Sequence, residues 1–123
     1  MANELTVTGS LSGNKVAAMI DAVADSFVGL QFTMTSNYYS KGTILVATGG
    51  TAIPLGQVTT PHWAIFKNLD PTNFIRLANG SGGAKLPKML AGEPALFPLD
   101  DTSTPYAFAD TASCLMAFLI FGL

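Results

Sequence analysis

The chain has 123 residues, enough for one domain around a single core, with only 11% charged residues beside 49% hydrophobic ones. Its net charge is −2, and the six cations, Lys15, Lys41, Lys67, Arg76, Lys85 and Lys88, are spread singly, so there is no basic stripe and direct nucleic-acid binding is not expected. So little charge suits a surface that is partly covered by other subunits, because a freely diffusing small protein normally carries more.

Glycine and proline punctuate the chain at intervals of about 8–12 residues, the rhythm of sandwiches and barrels. Residues 4–8 alternate and are rich in Thr and Val, which predicts a first strand, with a turn at 10–14. Residues 15–27 fit two patterns. Val16, Ile20, Val23 and Phe27 make a helical stripe, whereas Val16, Ala18, Ile20 and Ala22 make one face of a strand. Residues 30–35 and 38–48 read as strands, and Gly49-Gly50 as a turn. Residues 51–55 form a short strand whose Pro54 suits a sheet edge. Residues 63–67 and 74–77 are expected to form a hairpin around the turn at 68–72.

Residues 79–85, NGSGGAK, read as a loop tip. Short proline-bounded strands follow at 86–90 and 94–99, joined by a turn at Gly92-Glu93. After a polar loop at 100–105, strands at 106–110 and 113–121 complete the chain. The pattern predicts an all-β fold: one domain over residues 1–123, an antiparallel β-sandwich of about nine to eleven short strands, jelly-roll-like. Pro54, Pro87 and Pro94 would protect its edges.

The chemistry-bearing residues are sparse. The single histidine, His62, lies between Pro61 and Trp63 with no nucleophile motif around it, and reads as a turn residue. The single cysteine, Cys114, allows no internal disulfide and sits in the apolar run SCLMAFLIF as a small core residue. One Cys and one His do not make a zinc site. Asp100 and Asp101 lack the alternating spacing of a calcium loop. Gly80 to Gly83 with Lys85 is a phosphate loop in composition only, since Leu-Pro follows the lysine. No enzyme activity, cofactor or metal is expected.

The N-terminal MANELTVTG lacks the basic and apolar regions of a signal peptide. The apolar run at 114–121 is shorter than the roughly 20 residues a membrane helix needs, so a buried strand and no membrane partner are expected.

The aromatics carry the remaining signal. Tyr38, Tyr39, Trp63, Phe66 and Phe74 are the candidate interface residues. On a strand, Trp63 and Ile65 share one face and Ala64 and Phe66 the other. Both faces are apolar, which places this strand in the middle of a sandwich or beneath a neighbouring subunit. Exposed, the rings could instead form a platform for carbohydrate.

The segment at 61–77, PHWAIFKNLDPTNFIRL, resembles a stretch that recurs in small all-β structural proteins of tailed bacteriophages: an aromatic strand, Lys-Asn-Leu-Asp, a turn, Asn-Phe or Asn-Tyr, and a second strand. The resemblance extends over about residues 37–121, through NYYSKGTILVATGGTAIPLGQV, LPKMLAGEP and PYAFADTASCLMAFLIF. In similar proteins a strand occupies the region of residues 15–27.

This resemblance implies a structural virion protein on the capsid surface, of the cement or decoration type. Its partners would be the major capsid protein or other virion proteins, and it would act as a homo-oligomer, a trimer favoured over a dimer. A tail, baseplate or head-fibre component is the alternative within virions, and a carbohydrate-binding module for the host surface is the alternative of another class. The family carries no catalytic residues to transfer.

Overall fold

A computed structural model describes residues 5–13, 23–32, 34, 38–100 and 104–122. Among them are ten strands and no helix, all paired antiparallel. Contacts divide the chain into two units, Met1–Thr35 and Ser36–Leu123.

The first unit is a two-stranded ribbon, β1 (Leu5–Gly13) against β2 (Val23–Phe32). The expected turn at 10–14 is corrected over its described part. Ser10 to Gly13 belong to β1 and pair with Ser26 to Val23. Local Ser and Gly preferences yield there to a continuous ladder of backbone hydrogen bonds. The ladder breaks register between Val7 and Gly9, and the Thr8 hydroxyl accepts a hydrogen bond from Gly29 N–H at 3.2 Å. Residues 14–22, which hold most of the ambiguous segment, lie outside the described residues. Its last part, from Val23, is strand.

The second unit builds the sandwich. Its strands are β3 (Tyr39–Val46), β4 (Thr51–Ala52), β5 (Pro61–Asn68), β6 (Ile75–Asn79), β7 (Lys85–Met89), β8 (Pro94–Pro98), β9 (Pro105–Ala109) and β10 (Cys114–Gly122). They form two four-stranded sheets, ordered β3-β10-β5-β8 and β4-β9-β6-β7. The pairings are nested: β3 with β10, β4 with β9, β5 with β8, and β6 with β7. The segment behaves as one long hairpin whose successive rungs fall alternately into the two sheets.

The expected hairpin between 63–67 and 74–77 is corrected by this order. Both edges of β5 are taken, by β10 and by β8, so β6 cannot pair with it and lies in the other sheet. The turn at 68–72 is therefore an arch between sheets. The strand expected over 51–55 is cut back to Thr51–Ala52, so Pro54 stands outside it, whereas Pro87 and Pro94 fall where they were expected. Pro54 follows the short edge strand β4, while Pro87 and Pro94 lie on the edge strands β7 and β8, where a missing N–H breaks no inner ladder.

The core lies between the two sheets. Period-two alternation turns Val46, Ala64, Phe66, Cys114, Met116, Phe118 and Ile120 inward from one sheet. Ile75, Leu77, Met89, Ala107 and Ala109 meet them from the other. Phe66 and Phe97 pack at a ring-centroid distance of 5.6 Å. Gly42 lies opposite Phe118 in the register, and a Cβ there would stand 3.3 Å from the ring. At the β3–β4 turn, Gly50 has a φ of 103°, and a Cβ would strike the Phe108 ring at 2.5 Å.

Candidate interaction surfaces

The Asn68–Asp70 arch shows why the most distinctive sequence segment has its residues in that order. Asn68 is fully buried. Its side-chain Nδ2 donates to the carbonyls of Asn73 at 2.8 Å, Met89 at 3.1 Å and Leu90 at 3.2 Å. Its Oδ1 accepts from Asp70 N–H at 2.9 Å. Its own backbone pairs with the β7–β8 turn, Asn68 N–H to Glu93 O and Gly92 N–H to Asn68 O.

Asp70 Oδ1 in turn accepts from Asn73 N–H at 2.6 Å and Thr72 N–H at 2.8 Å. These backbone donors, with the Thr72 hydroxyl, hold its carboxyl below the usual aspartate range. Glu93 Oε1 closes its own turn by accepting from Leu90 N–H at 2.8 Å. Thus Asn68 ties the loops after β5 and β7 together while each carboxylate closes its own turn, a structural role that satisfies backbone groups.

Cys114 is buried beside this end. Burial pushes its thiol up, and the Asp70 carboxylate adds to the shift. Its Sγ lies 3.4 Å from Ala112 O. A raised thiol closed off from solvent is a poor nucleophile, as expected of a small core residue. His62 is not the expected turn residue: it is half-buried within β5, with its ring edge-on to Trp63 at 6.1 Å. Among the described residues no group of three or more His, Cys, Asp or Glu could hold a metal ion, and no helix is long and apolar enough to cross a membrane. Asp101 to Ser103 of the polar loop lie outside the described residues. An apolar cavity of about 460 Å³ opens near Asn79 and Asp100, its walls including Ile53, Phe66, Leu77 and Phe97.

The five candidate interface aromatics do not form one site. Phe66 is corrected outright: it is 1% exposed and belongs to the core, because the β5 face it shares with Ala64 is the inner one. Trp63 lies on the opposite, outer face of β5 and is half-buried. Tyr39 is 62% exposed at the start of β3 and packs its ring 6.0 Å from Phe121; Tyr38 is also exposed. Phe74 lies on the other sheet's side of the arch, just before β6.

The structure gathers two surfaces that the aromatics alone did not mark. The first is the outer face of β3-β10-β5-β8. Lys41, Leu119, Ile65 and Leu96 stand side by side in one row across all four strands. Leu45 and Leu115 pair in a further row, 63% and 45% exposed, and Tyr39 pairs with Phe121 near the other end. A sheet face in contact with water usually alternates toward polar residues. Here large aliphatic side chains fill much of two rows, with Thr43, Ala117 and Lys67 in the row between them.

The second surface lies on β6, β7 and β9. Arg76 is directly opposite both Lys88 on β7 and Phe108 on β9, and Ala78 is opposite Lys85. Lys88 Nζ lies 4.2 Å, and the Arg76 guanidinium carbon 5.2 Å, from the Phe74 ring centre; Lys85 Nζ lies 4.2 Å from that of Phe108. Half of the chain's six cations thus meet on two neighbouring strands, though they are scattered singly in the sequence. Only the register could reveal this.

The chain matches no protein-family model, no curated protein and no solved structure.

Proposed function

We propose that the chain is a structural virion protein of a tailed bacteriophage, a cement or decoration protein that binds the capsid surface as a homo-oligomer. The observation that carries this reading is the exposed apolar face of β3-β10-β5-β8, with Leu45, Ile65, Leu96 and Leu115 open to solvent on a chain of only 11% charged residues. A cluster of exposed apolar side chains on one sheet face supports reading it as a place where another protein binds. The resemblance of residues 37–121 to phage structural proteins supports a virion protein as that partner, and we take it to be the major capsid protein. The nested strand order supports reading the second unit as a jelly roll, the double-sheet form common among capsid domains.

The mechanism follows from the surface. Seating this face across junctions between shell subunits removes its aliphatic side chains from water, a gain of roughly 25 cal/mol per Å² buried. That free energy is present only in the assembled shell, so it opposes disassembly under internal genome pressure. The carbohydrate alternative needs an open aromatic row. Phe66 is internal, and two cations lie over the Phe74 ring.

The test is to locate the chain in purified particles by cryo-electron microscopy. Density for the second unit on the outer shell, with β10 and β5 against the major capsid subunits, is the expected result. Absence of the chain from particles would overturn the virion reading, and density in the tail or baseplate would move it to that component.

A further inference from the structure

We propose that two copies of this chain dock through the cation-bearing surface of β6 and β7 in one copy and the acidic loops beside it in the other, reciprocally about a two-fold axis. This rests on the assembly reading above, specifies the surface it uses between copies, and puts a two-fold pair in place of the trimer that the resemblance favours.

The starting point is an arrangement the fold does not require. Like charges directly opposite on neighbouring strands are destabilising, yet Arg76 faces Lys88, with Lys85 further along the same strand pair. Among the described residues they lie over rings, Arg76 and Lys88 over Phe74 and Lys85 over Phe108. A ring attracts a cation without consuming its N–H donors, so donors remain for a second, anionic surface. The rings under the cations are not open faces on which bases could stack. Three cations on a chain of net charge −2 also make a weak site for a polyanion. The fitting partner is a small set of carboxylates.

The chain carries such a set next to the cations. Asp110 lies one residue beyond β9, and its N–H is bonded to Phe74 O, two residues from Arg76. Glu93 bonds Leu90 N–H, two residues beyond Lys88. Asp70 lies in the arch that enters β6. Arg76 and Lys88 therefore neighbour these acids along the backbone, with Lys85 farther along β7. A two-fold axis through the boundary between cations and acids sets each group on its opposite in the partner, so every contact is made twice, which is the self-complementarity an isologous interface demands. Opposed patches of this kind fix register and suppress wrong partners.

The experiment is sedimentation equilibrium on the full chain with no particle present, so its failure is separate from failure of the shell reading. A dimer at about 20 mM salt that dissociates toward 1 M salt is expected, because the Debye length falls to about 3 Å there. Arg76→Glu or Asp110→Lys alone should weaken association at least about tenfold. An equimolar mixture of the two variants should regain it, since each supplies the charge the other lacks. Arg76→Gln serves if Arg76→Glu does not fold, with circular dichroism as the check. A monomer at low salt, association unmoved by both reversals, or folded variants that fail to recover on mixing would each overturn the proposal.

Discussion

Asn68 and Met89 stand 21 residues apart in the chain, yet the Asn68 side-chain amide donates to the Met89 carbonyl over 3.1 Å within the buried interior. The bond joins strands of different sheets, since Asn68 ends β5 and Met89 ends β7. The same amide group reaches Asn73 and Leu90.

Asn68→Ala should destabilise the protein by about 3 kcal/mol, because buried carbonyls lose their donor and each orphaned group costs about 1–3 kcal/mol. Asn68→Asp should cost at least as much. It replaces an amide donor with a carboxylate pointed at three carbonyl oxygens. Urea denaturation midpoints check both, and an alanine variant within about 0.5 kcal/mol of the native protein would remove Asn68 from this role.

How much of this was legible in the sequence can be judged at this arch. Alternation in β5 correctly paired Trp63 with Ile65 and Ala64 with Phe66 on opposite faces. It could not say which face was inner, since both are apolar. The answer depends on which face the sheet β4-β9-β6-β7 covers, and that is set by the fold as a whole. The hairpin was misplaced for a related reason: two strands and a tight turn look alike whether the chain folds back in one sheet or crosses to the other. Arg76 and Lys88 illustrate the same limit, as their juxtaposition is a matter of register between β6 and β7. By contrast, the turn after β3 and the span of β10 were legible because Gly49-Gly50 and the apolar run from Cys114 act locally, whereas β4 proved shorter than its expected 51–55.

Phe118→Ala should cost about 3–5 kcal/mol. The ring is buried at the centre of β10, with Gly42 and Phe66 on its two flanking strands. Gly42 leaves the space the ring occupies, so truncation opens a cavity that rigid strands cannot collapse into. Thermal unfolding measures this directly; an unchanged midpoint would mean that the ring is not packed in the core.

Acid should weaken the arch. Asp70 is held below the ordinary aspartate value of about 3.9 by the Asn73 and Thr72 N–H groups. A carboxylate with a depressed native pKa stabilises the fold above its unfolded pKa, and that contribution is lost as pH falls through the native pKa. Stability should therefore decline below about pH 4. Asp70→Asn, which cannot ionise, should lack the part of this decline that Asp70 contributes. Parallel stability curves for the two proteins between pH 5 and pH 2 would show that Asp70 contributes nothing to the acid response.

Shell attachment should depend on the aliphatic outer face and not on ion pairs. Ile65 and Leu115 lie on that face at 41% and 45% exposure, so replacing either with Glu removes little from the core. Ile65→Glu and Leu115→Glu should leave the melting temperature within a few degrees of the native protein and still sharply reduce the amount of chain retained on particles. Glutamate there would have to be buried against the shell without a partner, which is far costlier than leaving it in water. Washing native particles in molar salt should release little of the chain, because added ions screen charge pairs but do not weaken apolar burial. The readout is a gel of the washed particles for each variant. Full retention of both Glu variants would show that the shell seats on another surface, and release of the native chain by salt alone would show that charge holds it there.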